Sequence, residues 1–362
     1  MYSPFFDTRQ LQFLSDLLKT NTPSGCERQI VELLHNTMKD YCSIETDTIG
    51  NAYMKVGEQQ GLKVMISAHC DEVGLQVVHI DNNGFVYVRN IAYIDPQTIA
   101  GNVVVAITDE GLIEGVIGKK SPHVLDSKEK DQIPNISDLW VDFGFNSKSE
   151  ALQYISCGDY VSLSSTPRIT RNGNKIISKA LDNKICVFVL AELIKILSKK
   201  TLPFSIVGVA TAQEELGSRG AFVAASNIKP DIAFCLDVGI ATDIPSMSNS
   251  KYGEFGLGKG VGLLRNANNN EVLVNSLIRT AEDHGIPYQR TIGHRPTGGT
   301  ETSLIQLSNT GVATANLSIP NRYMHSLVEM CDLRDVKSAL DLLVAEMEYL
   351  VDLSKYDFNL FK

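Results

Sequence analysis

No two of the seven cysteines in this sequence have the spacing of a CxxC motif, and their number is odd. Cys70, Cys186 and Cys235 lie in or beside apolar runs and are predicted to be buried. A scattered, partly buried set of this kind is typical of reduced thiols rather than of a disulfide framework. We therefore expect a cytoplasmic protein.

Long apolar segments and a leader are also lacking. The longest apolar stretch, ICVFVLAELIKIL, is interrupted by Glu192 and Lys195 and is too short to span a bilayer. The first residues, MYSPFFDTRQLQFL, have neither the basic flank nor the apolar core of a signal peptide. We expect neither a membrane segment nor export.

Positive charge is scarce as well, with 33 Lys and Arg against 42 Asp and Glu and a net charge of -9. This balance argues against nucleic acid or an anionic membrane as a partner. A length of 362 residues exceeds one ordinary core, so we expect one large domain with a smaller one, or two domains.

The sequence does contain short apolar runs, rich in β-branched residues, with the composition of strands buried on both faces: residues 64–68, 206–210, 232–236 and 314–319. Residues 185–197 are apolar on nearly all sides and predict a central buried helix. Two amphipathic helices open the chain, and Ser24 with Glu27 has the spacing of a capping box for the second. These patterns predict an α/β fold.

Residues 73–168 have a different texture. Short β-rich runs such as FVYV, VVVAI and YVSLSS are separated by the turn signals DNNG and DEG. This composition predicts a small β-barrel or sandwich inserted into the larger domain. We therefore assign residues 1–72 and 169–362 to the larger α/β domain and residues 73–168 to the inserted β domain.

Metal-ligating and acidic side chains recur at the ends of the apolar strands or at the start of the central helix. If the strands are parallel, these side chains converge on one edge of the sheet, where ligands bind in open α/β folds. Each alone has a simpler interpretation, such as a helix cap for Asp182 or a turn former for Asp237. The set consists of His69, Asp182, Glu214, Glu215, Asp237 and His325.

Imidazole and carboxylate groups without nearby thiolates are typical ligands of Zn²⁺, Co²⁺ or Mn²⁺. Two histidines and three carboxylates suffice for two metals if one carboxylate bridges them, and the sixth group is then free to act as a base. Such metal pairs lie about 3.5–4 Å apart, where they activate a hydroxide and polarise a carbonyl. The pattern therefore predicts a hydrolase.

The motifs AHCDEVG, ALDNK, QEELGSRGA, CLDVG and RYMHSLVEM occur in the order in which they occur in the M42 family of metallo-aminopeptidases, and the sequence resembles that family over essentially its whole length. The resemblance implies a three-layer α/β/α zinc-exopeptidase-like catalytic domain with an inserted β-barrel. It implies an aminopeptidase that removes N-terminal residues from peptides.

The resemblance also implies roles for particular residues. His69, Asp182 and Asp237 would hold one divalent metal, and Asp182, Glu215 and His325 the other, so that Asp182 bridges. Glu214 would be the general base that activates the hydroxide, and Asp71 would orient His69. Zn²⁺ or Co²⁺ is expected first and Mn²⁺ next.

The family further implies that the β domain contributes to dimer contacts and that dimers build a dodecamer around an inner chamber, which restricts substrates to peptides. Family members commonly have aspartate where this chain has Glu301, a departure near the expected substrate pocket. For His294, in the same loop, a solvated side chain and a substrate contact are equally consistent with the sequence.

Two other functions are compatible with parts of the pattern. A glycoside hydrolase also uses two carboxylates, but these lie about 5–5.5 or 6.5–9.5 Å apart on opposite sides of the bond and need no histidines. A metal-free scaffold with the same fold is the second alternative, although an intact set of ligands argues against it.

Overall fold

The computed structural model describes residues 1–58, 61–126, 132–293, 297 and 299–350. The strands are β1 (Ser43–Thr46), β2 (Ala52–Gly57), β3 (Lys63–His69), β4 (Gly74–Ile80), β5 (Val86–Ile91), β6 (Val103–Thr108), β7 (Gly111–Gly118), β8 (Trp140–Asp142), β9 (Tyr160–Leu163), β10 (Arg168–Ile169), β11 (Lys175–Ser178), β12 (Ser205–Thr211), β13 (Ile232–Ile240), β14 (Val261–Leu264), β15 (Tyr288–Thr291), β16 (Ala313–Arg322) and β17 (Glu329–Asp332). The helices are α1 (Thr8–Lys19), α2 (Arg28–Met38), α3 (Pro96–Ile99), α4 (Lys148–Ala151), α5 (Leu181–Leu197), α6 (Arg219–Ile228), α7 (Asn249–Tyr252), α8 (Glu271–His284), α9 (Thr302–Gln306) and α10 (Leu333–Tyr349).

The main sheet has the strand order β1-β2-β12-β3-β13-β16-β17-β11-β10, and β14 with β15 extends from β16. Its centre consists of the four apolar runs predicted as buried strands. β12, β3, β13 and β16 are parallel to their neighbours in this group, which meets the condition for the six side chains to converge. Their carboxyl ends therefore meet at one edge of the sheet.

Side chains alternate between two cores on the opposite faces of this sheet, as the two-residue period of a strand requires. Val64 and Ile66 of β3 pack in the core formed with α1, α2, α5, α8 and α10. Met65, between them, packs in the core formed with α6 and α9. The domain thus has the α/β/α layers that were expected.

α5 is the central helix of the larger core. Its residues are buried on all sides except near its end, as the apolar pattern predicts. The ring of Phe188 is fully buried and packs edge-on against Phe6, with ring centroids 5.2 Å apart. Replacing such a ring with alanine costs about 3–5 kcal/mol of stability.

The inserted segment forms a closed barrel with the order β4-β5-β8-β7-β6-β9 and a core of its own. The barrel begins directly after β3, and the chain returns through β10, which pairs with β11 in the main sheet. A buried ion pair of the larger domain, between Lys179 and Glu72, contacts the barrel through Ser162. Lys179 lies 2.7 Å from each carboxylate oxygen of Glu72 and 3.2 Å from Ser162 Oγ of β9.

Most helix boundaries follow the sequence. α8 ends at Gly285 in the left-handed conformation, as expected, and α10 starts at its cap Asp332. The predicted end of α10, at residue 353, lies outside the described residues. The capping box predicted for α2 is wrong, because Glu27 makes no side-chain cap contact there. Among the described helices, none is long and apolar enough to cross a membrane.

Candidate metal centre

The six candidate residues lie together at the carboxyl edge of the main sheet, and all of them line one cavity. The parallel register explains the convergence, since Thr211 at the end of β12 is level with His69 at the end of β3. The elements that carry the residues are β3 for His69, the loop after β12 for Glu214 and Glu215, β13 for Asp237, the loop after β16 for His325 and the start of α5 for Asp182.

Five of these residues form two candidate metal groups, in each of which the ligand atoms lie within 4.8 Å of one another. In the first, His69 Nε2 lies 3.1 Å from Asp182 Oδ1 and 3.7 Å from Asp237 Oδ1. In the second, His325 Nε2 lies 3.3 Å from Asp182 Oδ2 and 3.1 Å from Glu215 Oε1. Asp182 belongs to both groups and directs a different oxygen to each.

The carboxylates carry more negative charge than their surroundings offset. Burial, with the nearby Asp182 carboxylate, raises the pKa of Glu215 to about 7. Burial and the charges of Asp182 and Glu214 raise the pKa of Asp237 well above its usual range. Carboxylates crowded in this way favour a bound cation. Their combination with two imidazoles is the donor set of a divalent metal, so the residues present fit such an ion.

The pKa values of the two imidazoles are raised as well, in this case by the neighbouring carboxylates. Burial alone would lower the pKa of His325, but the carboxylates of Asp182 and Glu215 raise it to about 11. The pKa of His69 is raised well above its usual range, because Asp182 and Asp71 outweigh burial. Protons and metal ions therefore compete for the same imidazole nitrogens, and metal affinity should fall as the pH falls.

Asp71 is buried beside the metal groups. It holds the acidic loop, residues 212–218, which carries Glu214 and Glu215. Its Oδ1 accepts the main-chain N–H of Glu214 at 3.0 Å, and its Oδ2 accepts that of Glu215 at 3.2 Å. The distance from its Oδ1 to His69 Nδ1 is 3.4 Å, and this nitrogen makes no hydrogen bond within the described residues. The carboxylate thus contacts the loop more closely than it contacts the imidazole.

Of the two residues predicted to form a capping box, Ser24 contacts Asp71 and Glu27 contacts the acidic loop. Ser24 Oγ donates to Asp71 Oδ2 at 2.5 Å. Glu27 Oε1 accepts the main-chain N–H of Gln213 at 3.1 Å. Their spacing was visible in the sequence, but it indicated a local contact rather than one across the fold.

Glu329, which sequence analysis did not single out, contacts two of the ligand-bearing residues. Its Oε2 accepts the main-chain N–H of Asp182 at 2.8 Å, and its Oε1 accepts that of His325 at 2.8 Å. Asn321 Nδ2 donates to Oε2 at 3.1 Å. Glu329 is buried, so these contacts are sheltered from water.

The barrel also reaches the metal groups. His325 Nδ1 lies 2.9 Å from the main-chain oxygen of Tyr93, in the segment between β5 and α3. Since a carbonyl can only accept, Nδ1 carries a proton, so Nε2 is the nitrogen that faces Asp182 and Glu215 and would bind a metal after losing its own proton. No sequence signal pointed to this contact.

Position 220 requires glycine because the main chain of the acidic loop and the side chain of Asn51 pack closely against it. A Cβ at this position would lie 2.3 Å from both the main-chain oxygen of Ala212 and Asn51 Oδ1. Asn51 fixes the same loop, since its Oδ1 accepts the N–H of Ala212 and its Nδ2 donates to the carbonyl of Gly220, each at 2.9 Å. Only glycine allows this approach.

Glu301 is not among the residues that line the cavity, although Thr300 and Ser303 are. It is buried, hydrogen-bonds Thr211 Oγ1 through Oε1, and has no hydrogen-bond partner for Oε2 within the described residues. Burial raises its pKa to about 7. His294 lies outside the described residues.

The cavity that contains the metal groups has a volume of about 620 Å³. It extends from the metal groups towards the ends of β13, β14 and β15, and Tyr93 of the barrel forms part of its wall. A volume of this size accommodates a small ligand or the end of a peptide.

The sequence is similar to those of known aminopeptidases. The sequence profile described as M42 glutamyl aminopeptidase matches residues 50–342. A lysyl aminopeptidase from Pyrococcus furiosus is 33% identical over 348 residues, covering 94% of this chain and 97% of that protein.

Solved structures of similar proteins have the same fold. The TET aminopeptidase from a marine sediment archaeon, Thaumarchaeota archaeon SCGC AB-539-E09, matches with a TM-score of 0.91 and 28% identity, covering 97% of this chain and 99% of that one. The Pyrococcus horikoshii TET1 peptidase, which can assemble into a tetrahedron or a large octahedral shell, matches with a TM-score of 0.84 and 29% identity, covering 93% and 98%.

Proposed function

This chain belongs to the M42 family of metal-dependent aminopeptidases, and from that premise we propose that it removes N-terminal residues from peptides with two divalent metal ions. The single observation that carries the proposal is Asp182, whose two oxygens face two different histidine-carboxylate groups. A shared carboxylate of this kind suits a pair of cations, because it offsets their mutual repulsion.

In this proposal His69, Asp182 and Asp237 hold one ion, and Asp182, Glu215 and His325 hold the other. When bound, the ions lower the pKa of a water molecule and polarise the scissile carbonyl. Zn²⁺ and Co²⁺ suit this donor set first, and Mn²⁺ next.

We assign the general base to Glu214. Its side chain lines the cavity, and its Oε1 accepts a hydrogen bond from Ser218 Oγ at 2.8 Å. Burial raises its pKa above the usual range of a glutamate, towards the range that suits proton transfer at neutral pH. Glu214 takes a proton from the attacking water and gives it to the leaving amine nitrogen as the peptide bond breaks.

The other residues keep these groups in place. Asp71 and Glu27 hold the main chain that carries Glu214 and Glu215. A reacting group that is displaced by 1 Å can lose about a hundredfold in rate, so rigid support of the loop favours catalysis.

The barrel, residues 73–168, is proposed to form the contact between subunits. The hairpin of β6 and β7 exposes apolar side chains on one face: Val103 and Leu112 are 44% and 55% exposed, and Val116, opposite Val103, is 47% exposed. Such a face is suited to burial against a second copy. We propose dimers that assemble further, towards a dodecamer, as the TET neighbours form closed particles.

All seven cysteines, each within the described residues, are free thiols, which suits the reducing cytoplasm that we propose as the compartment. A closed particle in that compartment would admit peptides rather than folded proteins.

The test is a hydrolysis assay on a panel of aminoacyl-p-nitroanilides and short peptides. Protein treated with a chelator should be inactive, and adding Zn²⁺, Co²⁺ or Mn²⁺ in turn should restore release of the N-terminal residue. An N-acetylated peptide should not be cleaved. Activity that survives complete removal of metal, or cleavage of cellulose-type substrates instead of peptides, would overturn the proposal.

A further inference from the structure

The lining of the cavity beyond the metal groups indicates which substrate side chains can bind there. Its apolar lining includes Ile240, Phe255, Leu264, Leu304 and Met324. Leu264 and Phe255 are themselves almost fully buried, so they present a fixed apolar surface.

The remaining side chains of this part of the cavity are neutral. Thr242, Asn266, Thr291 and Ser303 contribute hydroxyl and amide groups. Within the described residues, the only aspartate, glutamate, histidine, lysine or arginine side chains that line the cavity are the six at the metal groups. A charged substrate side chain buried in this region would have no described partner of opposite charge and would lose hydration without compensation.

We infer that this enzyme prefers peptides whose N-terminal side chain is uncharged and apolar, such as leucine or methionine, over those beginning with glutamate or lysine. The inference rests on the proposed aminopeptidase function and concerns the same site. It differs from the activities named for the relatives, since the family description says glutamyl and the Pyrococcus furiosus relative is a lysyl aminopeptidase.

The experiment compares kcat/KM for leucyl-, methionyl-, glutamyl- and lysyl-p-nitroanilide at one metal concentration. We expect the leucyl and methionyl substrates to exceed both charged ones by at least about tenfold, the scale of one unfavourable pocket contact. A glutamyl or lysyl preference would overturn the inference while leaving the aminopeptidase function intact. Failure to cleave any of the four would instead overturn the proposed function.

A cation introduced into the lining should change the preference. Ser303 is half-buried and lines the cavity, so Ser303→Arg places a guanidinium there. The ratio of glutamyl to leucyl kcat/KM should rise at least about tenfold, because the guanidinium offers the glutamyl carboxylate a charge-assisted hydrogen bond. Ser303→Gln, a neutral side chain of comparable reach, is the matched control and should leave the ratio unchanged. An equal ratio in both variants would contradict the assignment of this surface to the substrate side chain.

A second inference comes from Glu329, which touches neither the cavity nor a candidate ligand atom. Its two oxygens accept the main-chain N–H groups of Asp182 and His325, each at 2.8 Å. Asp182 precedes most of α5 and His325 follows β16, so one buried carboxylate joins two elements that are distant in sequence.

The conformation of His325 makes this support significant. His325 has φ +61°, in the left-handed region that a residue with a side chain seldom adopts. Its N–H donates to Glu329 and its ring contacts Tyr93, so the backbone and the imidazole are each held from outside the metal groups. We propose that Glu329 is a positioning residue that fixes the relative positions of Asp182 and His325, two of the three residues of the second metal group.

Replacement of Glu329 tests this through metal binding rather than activity. Glu329→Gln keeps the volume but offers one acceptor oxygen where Asp182, His325 and Asn321 all donate. Residues that hydrogen-bond to the ligand-bearing residues of a metal site contribute about 10–100-fold to metal affinity. We therefore expect the weaker-bound Zn²⁺ to lose affinity by about that factor, with a changed absorption spectrum of the Co²⁺-loaded protein.

Asn321→Ala is the matched control, because Asn321 is buried and donates to the same Glu329 oxygen but holds no ligand-bearing main chain. It should lower the thermal midpoint while retaining the Zn²⁺ affinity and the Co²⁺ spectrum. Glu329→Asp keeps the charge and should recover part of the affinity lost in Glu329→Gln. If Glu329→Gln binds both ions as the native protein does, or if Asn321→Ala loses the same affinity, Glu329 is structural only.

Discussion

Glu27 accepts a hydrogen bond from the main-chain N–H of Gln213 at 3.1 Å, although 186 positions separate the two residues. The same Glu27 oxygen accepts the N–H of Gly25 at 2.7 Å. Gln213 has φ +56°, so the start of the acidic loop is held in a conformation that is uncommon for glutamine. One oxygen thus joins the start of α2 to the segment that carries the candidate base.

Removing this acceptor should lower the rate of catalysis. Glu27→Leu leaves the N–H of Gln213 without an acceptor and frees the loop, so kcat should fall about 10–100-fold, the scale expected for a displaced reacting group. Glu27→Gln retains an acceptor oxygen and should stay within about threefold of the native kcat. Steady-state kinetics with measured metal content provide the check. A Glu27→Gln loss as large as that of Glu27→Leu would mean that the charge of Glu27, not the hydrogen bond, matters.

The same residue predicts a pH dependence of stability. Burial raises the pKa of Glu27 to about 7, from 4.5. The folded state therefore binds this proton more tightly than the unfolded state, and the resulting stability is complete below about pH 4.5 and is lost as the pH rises through about 7. Relative to Glu27→Gln, the native protein should lose about 2.5 kcal/mol of unfolding free energy between pH 5 and pH 8. Urea unfolding at equal protein and metal concentrations measures this, and parallel pH profiles for the two proteins would contradict it.

Asp182→Asn should disturb both metal groups at once. Asp182 directs one oxygen to each histidine, and asparagine offers only one oxygen and no charge to offset two cations. Metal content should fall from two per chain towards one or none in elemental analysis after dialysis. Retention of two tightly bound ions would show that Asp182 does not bridge.

The two adjacent glutamates should behave differently when each is changed to glutamine. Glu214→Gln keeps both metals but lowers kcat by about 10²–10⁴-fold, the usual contribution of a positioned acid-base group. Glu215→Gln weakens a ligand, so its activity should fall together with its metal content and recover in part with excess Zn²⁺ or Co²⁺. The reverse pattern, with metal loss in Glu214→Gln alone, would exchange the two assignments.

Assembly should depend on the outer face of the barrel hairpin. Val116→Glu places a charge in the exposed apolar group that includes Val103, which a second copy would have to bury. Light scattering should show a smaller particle for Val116→Glu and an unchanged one for Val116→Ile. A native-sized particle in Val116→Glu would exclude this face as the contact.

The positions of the candidate ligands could be anticipated because they follow the ends of apolar runs that are recognisable as buried strands, and these strands are parallel in the structure. His69 and Asp237 lie where residues 64–68 and 232–236 predict. The supporting residues could not be anticipated in this way. Glu27 and Glu329 act on main-chain N–H groups of distant segments, and a main-chain group leaves no pattern in the sequence.

The capping box shows the physical reason. A serine and a glutamate three positions apart suit the start of a helix energetically, but the carboxylate gains more contacts by accepting from Gly25 and Gln213. Local spacing specifies which bonds a residue can make with its neighbours. The bonds that it does make depend on which segments the complete fold brings near.

The contact between Tyr93 and His325 constrains how the barrel can change in engineered or diverged relatives of this chain. Its acceptor is a main-chain oxygen, so the identity of the residue at position 93 does not affect it. The length of the connection between β5 and α3 does affect it, since one inserted or deleted residue would move the carbonyl by several ångströms. Side-chain substitutions in this connection should therefore be tolerated far more readily than changes in its length.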